Sequence, residues 1–108
     1  MKKEFQKRWP KWFDDFDWFE CGDGWKDLLW RLCEDIEKLN SPEDFYVCQV
    51  KEKFGGLRFY VLGGSDEIYD RINQAENESF KTCEKCGSTQ NVTTEGGWLK
   101  TLCKECRK

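Results

Sequence analysis

Two pairs among the seven cysteines of this 108-residue chain have the spacing of a metal site. Cys83 and Cys86 form one Cys-x-x-Cys pair, Cys103 and Cys106 form a second, and 16 residues separate the pairs. This arrangement lies within the Cys-x2-Cys-x15–20-Cys-x2-Cys pattern of structural zinc sites. Two intervening residues let both sulfurs face one ion from a tight turn, and Gly87 favours such a turn after the first pair. We therefore predict one structural Zn²⁺ per chain, held by these four cysteines.

Two other uses of paired cysteines are disfavoured by the sequence. A redox Cys-x-x-Cys motif requires a thioredoxin-like α/β setting, which the segment around these cysteines lacks. Seven is an odd number and no secretion signal is visible, which argues against a disulfide framework. Four thiolates also fill a tetrahedral shell, so the metal is predicted to be structural rather than catalytic. We expect its removal to unfold residues 80–108, which have few apolar side chains of their own.

Three cysteines lie outside the two pairs and are predicted to have no ligand role. Cys33 lies on the apolar stripe of a predicted helix, and Cys48 lies in a predicted strand. Both are therefore predicted to be small buried apolar side chains. Cys21 lies next to Gly22 at a predicted break in the chain, where it is free to be exposed.

The chain offers no constellation of residues for catalysis. It has no histidine, which excludes His-based triads, mixed cysteine–histidine zinc sites and histidine general bases. Gln49-x-Lys51 weakly matches a strand motif of metal-dependent nucleases, but an ordinary strand with one polar face explains these residues better. We therefore predict that the protein is not an enzyme.

Aromatic side chains are concentrated in the N-terminal 20 residues. Six of them recur at spacings of three and four, which predicts one helical stripe; Pro10 interrupts it and favours a helix that begins there. Such a stripe is more often core than binding surface, but a short chain leaves some of it exposed as anchors for a protein partner. The members of the stripe are Phe5, Trp9, Trp12, Phe13, Phe16 and Phe19. The tryptophans considered as anchors are Trp9, Trp12, Trp18 and Trp30.

Three further elements are predicted to support the cysteine pairs. Apolar residues at helical spacing over residues 25–39 predict an amphipathic helix, which residues 40–42 terminate. Two β-rich runs within residues 46–62, separated by Gly55 and Gly56, predict an antiparallel hairpin. A third helix is predicted from a narrow apolar stripe made of Ile68, Ile72, Ala75 and Ser79.

Charge changes sign along the chain in blocks, so the net charge of −3 describes no single region. Residues 14–37 hold two basic and nine acidic side chains, whereas residues 80–108 hold six basic and three acidic ones. The acidic block is either an ordinary solvated helix face or a surface for a basic groove on a partner protein. The acidic residues predicted to contact such a partner are Asp14, Asp15, Asp17 and Glu20.

Together these elements predict an α+β fold. Residues 1–80 are expected to form helices packed on a short antiparallel hairpin, and residues 81–108 a four-cysteine zinc-knuckle or ribbon-like segment. The two parts are expected to make one compact unit, with a monomer favoured. No stretch is apolar enough to cross a membrane and no signal peptide is visible, so we expect a cytoplasmic protein.

Five motifs resemble those of a family of small phage and prophage proteins that end in a four-cysteine zinc-binding segment. They occur in order over residues 21–106, as CGDGW, VKEKFGGLRFYV, AENES, TCEKCG and GWLKTLCKEC. The resemblance implies the same four cysteines as zinc ligands and supplies no catalytic residue. The chain is also similar to the anti-CRISPR inhibitors of type II RNA-guided nucleases. That similarity implies a protein that binds the nuclease in a bacterial host cell and blocks its DNA target, with residues 14–37 competing in a basic channel.

Two other functions stay open at the level of the sequence. A nucleic-acid-binding zinc module, such as a phage transcription or packaging accessory, would use residues 80–108 for phosphates and Trp98 for stacking. The net charge of −3 and the isoelectric point near 5.1 make direct nucleic-acid binding less favoured than protein binding. The third function is that of a zinc-stabilised partner protein with no role in host defence.

Overall fold

Three α-helices and two separate two-stranded sheets make up the fold, which the computed structural model describes over residues 1–108. This is the α+β class predicted from the sequence. Both sheets are antiparallel hairpins, and a 3-10 turn at Asp23–Trp25 leads directly into the second helix. None of the three helices has the length and apolar content needed to cross a membrane. The elements are α1 (Lys2–Arg8), α2 (Lys26–Lys38), β1 (Tyr46–Lys53), β2 (Gly56–Leu62), α3 (Asp66–Ser79), β3 (Val92–Glu95) and β4 (Lys100–Cys103).

One face of α2, one face of α3 and the inner face of the β1–β2 hairpin build most of the core. The predicted stripe of α3 is confirmed, since Ile68, Ile72, Ala75 and Ser79 are all buried. Ser65 caps this helix, because its Oγ accepts a hydrogen bond from Ile68 N at 3.3 Å. The spacing of three and four residues thus places the apolar side chains of each helix on one side. The buried residues of α2 are Leu28, Leu29, Leu32, Cys33 and Ile36.

The β1–β2 hairpin closes through a two-residue turn at Phe54 and Gly55, between the runs predicted as strands. Both turn residues have positive φ, 55° and 85°, which indicates the type I′ turn that suits the twist of paired strands. Leu57, Phe59 and Val61 alternate into the core, as a period of two predicts. The hairpin therefore packs one apolar face against α3 and leaves Phe54 exposed at its turn.

The prediction that Cys48 is buried is wrong. The register of β1 against β2 shifts between Val47 and Gln49, so Cys48 is the extra residue of a β-bulge. Its side chain is exposed, while Val47 beside it is buried. Alternation along a strand predicts burial only where pairing is regular, and nothing in the local sequence marks this bulge.

The helix predicted to begin near Pro10 does not form. Helix α1 ends at Arg8, and residues 10–20 continue as turns and extended chain. Pro10 has no backbone N–H with which to continue α1, and aromatic residues are weak helix formers. The segment instead ends by pairing with β1, because Glu20 N donates to Val50 O at 2.9 Å.

An aromatic cluster centred on Phe5 explains the spacing that suggested a helix. The Phe5 ring is fully buried, and four other ring centroids lie between 4.9 and 5.9 Å from its own. Their tilted and edge-to-face arrangements are those that aromatic pairs prefer. The cluster packs α1 and the following turns against α2. The four neighbouring rings are Trp9, Phe13, Phe19 and Trp30.

Candidate metal centre

The four cysteines of the two predicted pairs come together at one point. Their sulfur atoms all lie within 4.8 Å of one another, and Sγ of Cys86 is 3.6 Å from Sγ of Cys103. An ion about 2.3 Å from each of four tetrahedral sulfurs requires sulfur–sulfur separations of about 3.8 Å. Cys83 and Cys103 are buried, Cys106 is half-buried and Cys86 is exposed. The cluster can therefore hold one metal ion near the protein surface.

A tight turn after α3 positions the first cysteine pair. Cys86 N donates to Cys83 Sγ at 3.4 Å, and Gly87 N donates to Cys83 O at 2.9 Å. Gly87 has a φ of +84°, a left-handed conformation that glycine adopts without strain. The turn thus directs a backbone N–H towards sulfur, which is what a thiolate ligand needs.

The β3–β4 hairpin returns the second pair to the first. Cys103 is the last residue of β4, and Arg107 N donates to Cys103 O at 3.1 Å in the turn that carries Cys106. Glu84 N donates to Thr101 O at 3.0 Å, which fastens the first pair to β4. The sequence analysis predicted a knuckle or ribbon here but not these strands. Each has only four residues, and a segment this short shows no apolar alternation.

Crowding of the four thiols opposes their simultaneous ionisation. Burial raises the pKa of Cys83, but backbone N–H groups, chiefly that of Cys103, outweigh it and lower this pKa to about 6. The neighbouring sulfurs of Cys103 and Cys86 raise the pKa of Cys106 to about 12. A cation between the sulfurs would favour all four thiolates. Four sulfur ligands also fill a tetrahedral shell, so the arrangement leaves no position for a reactive water.

The loop at residues 21–25, predicted from the sequence as a break in the chain, receives the first cysteine pair. Gly22 N donates to Glu84 Oε2 and Gly24 N donates to Glu84 O, each at 2.8 Å. A Cβ on Gly24 would lie 2.2 Å from Cys83 O, and one on Gly22 would lie 2.4 Å from Glu84 O. Neither position accepts a side chain unless the backbone moves. The sequence signal for this close contact is the Gly-x-Gly spacing in Cys-Gly-Asp-Gly-Trp, because glycine allows another backbone to approach closely.

Buried polar contacts also join the first cysteine pair to residues 22–25; this region is called the first junction. Glu84 is only 9% exposed, and Gly22 N satisfies one of its carboxylate oxygens. Trp25 is fully buried, and its Nε1 donates to Thr82 O at 2.9 Å. The sequence analysis assigned no role to Glu84 and placed Trp25 only on the α2 stripe. These bonds attach the cysteine segment to the start of α2.

A second junction joins the β1–β2 turn to β4. The fully buried Thr101 donates from Oγ1 to Gly55 O at 2.5 Å, and its Oγ1 lies 2.6 Å from Thr94 Oγ1. A Cβ on Gly55 would lie 2.5 Å from Thr94 Cγ2. The turn of the first hairpin therefore rests directly on the second hairpin.

The acidic residues predicted to contact a partner are all exposed, as is Trp18 at 61%. Asp14 and Asp15 share a groove of about 450 Å³ with Glu43 and Asp44, which precede β1. The structure thus adds two carboxylates that the sequence analysis did not assign to this surface. The predicted acidic residues are Asp14, Asp15, Asp17 and Glu20.

Only one of the tryptophans predicted as anchors is well exposed. Trp9 is 4% exposed, and its ring stacks on that of Trp12 at 5.8 Å with an interplanar angle of 2°. Trp12 and Trp30 are partly buried against the same core. Trp9 is therefore a core residue and not the exposed anchor that the sequence predicted. Trp18, which does not belong to the three-and-four spacing, is the member whose ring faces solvent.

The cysteines outside the cluster differ from one another in exposure. Cys33 is fully buried, as predicted, and this burial raises its pKa. Cys21 is half-buried; burial, with a smaller contribution from the carboxylate of Glu84, raises its pKa to about 12. Neither thiol is poised to react as a thiolate at neutral pH.

No protein-family model, curated protein or solved structure matches the chain.

Proposed function

We propose that the metal is zinc and that its role is structural. A tetrahedral set of four sulfurs is typical of zinc or of iron, and the spacing of the two pairs lies within the zinc pattern. Seven free thiols are consistent with a metal site rather than with disulfides. A closed shell of four thiolates holds two turns together and takes no part in a reaction.

Elemental analysis of the purified protein tests the zinc proposal. We expect about one zinc per chain, and almost none in Cys83→Ser or Cys106→Ser, because each substitution removes a ligand. Cys48→Ser is the matched control, since this exposed thiol lies outside the cluster and the variant should keep its zinc. Iron in place of zinc, or a folded protein with no metal, would contradict the proposal.

We propose further that the protein acts by binding another protein, a type II RNA-guided nuclease whose DNA target it blocks. The observation that carries this proposal is an acidic surface with an exposed tryptophan. Trp18 shares one groove with Asp17 and Glu20, and Asp14 and Asp15 line a second groove with Glu43 and Asp44. A large exposed ring among carboxylates offers both apolar area to bury and charge for a basic groove. Such nucleases hold guide and target in positively charged channels. The choice of this partner rests on the resemblance to anti-CRISPR inhibitors.

The charge of the acidic surface is uncompensated within the chain, which suits it to compete with nucleic acid. None of Asp14, Asp15, Glu43 and Asp44 takes part in an ion pair. Lys11 is the one basic residue that lines their groove. Clustered carboxylates of this kind attract a basic channel over a distance set by ionic strength. We place this activity in the cytoplasm of a bacterial host, where thiols stay reduced.

A cleavage assay with the nuclease, its guide and a DNA target tests the proposed partner. Addition of the wild-type protein should abolish cleavage. Asp15→Lys combined with Asp17→Lys should raise the concentration needed for half inhibition about 10-fold or more, because each change places like charges in contact. Trp18→Ala should weaken inhibition to a similar extent through loss of buried ring area.

Two results would refute the nuclease as partner. One is undiminished cleavage at a large excess of the wild-type protein, together with no complex in a pull-down. The other is an equal effect of the control variant Glu67→Lys combined with Asp70→Lys. That variant makes the same change in net charge on exposed positions of α3 that line neither of the acidic grooves.

A further inference from the structure

The two most exposed large apolar side chains of the protein, Trp98 and Phe54, lie together at the tips of its two hairpins, next to Leu99. Trp98 is 80% exposed, Phe54 is 66% exposed and Leu99 is 40% exposed. All three line one groove of about 590 Å³ with Glu52 and with Lys53, whose Nζ is 5.6 Å from the centroid of the Phe54 ring. Lys100 follows Leu99 in the chain, and its Nζ lies 3.8 Å from Glu52 Oε1. Two aromatic rings and a cation at one surface groove are a binding arrangement that neither the metal centre nor the acidic surface uses.

The backbone conformation at Phe54 indicates that the turn itself does not favour an aromatic side chain at this position. Its φ is +55°, a left-handed conformation that a bulky residue adopts only with strain. In a type I′ turn the preferred sequence is Asn-Gly, and here Phe54 stands where asparagine would be favoured. Burial does not offset this strain, because the ring faces solvent. An exposed aromatic at a strained position indicates a surface role.

The second junction connects the two hairpins that form the walls of the groove. Thr101 donates a hydrogen bond to Gly55 O, directly after Phe54 in the chain. Thr94 and Thr101 also bond to each other across β3 and β4, the strands that carry the Trp98 loop. One hydrogen-bonded unit therefore joins the two turns that carry the rings and keeps them next to each other.

Charge is divided unequally between the two hairpins and the rest of the chain. Residues 46–62 and 80–108 together hold nine basic and four acidic side chains, whereas the remaining residues hold nine basic and seventeen acidic ones. Two of the four acidic side chains are engaged with backbone, since Glu52 accepts from Gly55 N and Glu84 from Gly22 N. This part of the molecule stays positive even after the roughly two negative charges of a four-thiolate zinc centre.

We propose that the groove between the hairpin tips binds single-stranded nucleic acid. Unpaired bases stack on Phe54 and Trp98, and Lys53 and Lys100 contact the phosphates. A duplex does not fit this chemistry, because its bases are already stacked on one another and their faces are not available to the rings. No residue lines both this groove and the one that holds Asp14 and Asp15. Lys53 and the neighbouring Lys100 outnumber Glu52 here, so the local charge is positive although the overall charge is −3.

Fluorescence anisotropy with a labelled oligothymidylate tests the site, with the zinc-loaded full-length protein at low salt. Trp98→Ala and Phe54→Asn should each weaken binding roughly 5- to 100-fold, the effect of removing one stacking ring. Phe54→Asn should keep or raise the melting temperature, because it restores the preferred turn sequence. Trp18→Ala is the matched control, an exposed tryptophan on the acidic surface, and should bind like the wild type.

Several outcomes would overturn this site. They are the absence of binding at low salt, an equal loss in Trp18→Ala, and equal competition by a duplex of the same length. Equal affinity for a poly-glutamate peptide would mark a surface for anions in general. Self-association that Trp98→Ala abolishes would make a second copy of the chain the occupant. Trp98→Ala should leave nuclease inhibition unchanged, so this proposal and the nuclease proposal fail independently.

Discussion

Cys21, Cys33 and Cys48 have the same side chain but three different environments. Cys33 is fully buried in the core, and burial raises the pKa of Cys21 to about 12. Cys48 is exposed because a β-bulge turns it away from the core. Thiol reactivity follows the thiolate fraction and exposure, so identical residues in one chain differ widely in reactivity.

Alkylation at neutral pH should therefore modify Cys48 well before the other two. The four cluster thiols are expected to be protected by their metal. Peptide mass spectrometry after brief treatment of the zinc-loaded protein with iodoacetamide measures this. In Cys48→Ser the fast-reacting thiol should disappear; rapid labelling of Cys33 instead would contradict the burial described above.

Ser79 shows how a small polar residue on an apolar stripe can act in the core. It is fully buried, its Oγ accepts a hydrogen bond from Leu57 N at 2.9 Å, and its hydroxyl donates to Glu76 O at 2.5 Å. The hydroxyl thus connects the last turn of α3 to β2. The stripe predicted where Ser79 lies but not this bond.

Ser79→Ala should destabilise the protein by about 1–3 kcal/mol, because it leaves the buried Leu57 N–H without an acceptor. Thermal or urea unfolding measures the change. Asn73→Ala, at an exposed position of the same helix, is the control and should alter the free energy of unfolding by about 0.5 kcal/mol or less. Similar stabilities of the two variants would mean that water satisfies the Leu57 N–H.

At the scale of elements, local periodicity decided what could be predicted. Helices α2 and α3 and the β1–β2 hairpin follow from apolar spacing and glycine positions, since each element buries one continuous face. Residues 10–20 have the same kind of spacing but pack as turns around Phe5. Tertiary packing overrides periodicity there because Pro10 and the aromatic residues give helix formation little support.

The candidate site shows the same division between local and distant signals. The four cysteines were predicted as one cluster because a tetrahedral ion imposes a recognisable spacing on the sequence. The contacts of Gly22 and Gly24 with Glu84 left no such pattern, because backbone hydrogen bonds select no particular side chain. The ligands of the site are therefore predictable from a single sequence, whereas the loop that supports them is not.

Gly24→Ala should destabilise the junction between this loop and the first cysteine pair. The added methyl would lie 2.2 Å from Cys83 O, and a backbone atom yields less readily than a side-chain end. We expect a loss of about 1–3 kcal/mol in the free energy of unfolding, as for other overpacked sites. Gly97→Ala is the matched control, since no atom lies within 4 Å of its Cβ position. Equal melting temperatures would show that the loop relaxes freely.

At the scale of the whole molecule, the metal cluster is tied to both halves of the chain. Glu84 and Thr82 bond to residues 22–25, and Thr101 bonds to Gly55. Loss of the metal should therefore affect more than residues 80–108, the segment that the sequence analysis expected to unfold. The effect should reach the start of α2 and the first hairpin turn.

Hydrogen exchange before and after chelation of the metal measures this reach. The amides of Gly22 and Gly24 should lose protection along with the cysteine segment, because their acceptors on Glu84 move away. Amides in the middle of α2, such as that of Leu32, should keep theirs because the aromatic cluster still covers that helix. Unchanged exchange at Gly24 would confine the effect to residues 80–108.

The junction at Gly22 also has a consequence for the order of events during synthesis. Its bond to Glu84 closes 62 residues of chain, and the bond from Trp25 to Thr82 closes 57. Contacts of such long range form late, after the intervening chain has been made and brought together. A nascent chain therefore cannot make these bonds until Thr82 and Glu84 have left the ribosome. The cluster itself closes only the 23 residues from Cys83 to Cys106, so we expect capture of the proposed ion to precede the junction and to prepare Glu84 and Thr82 for it.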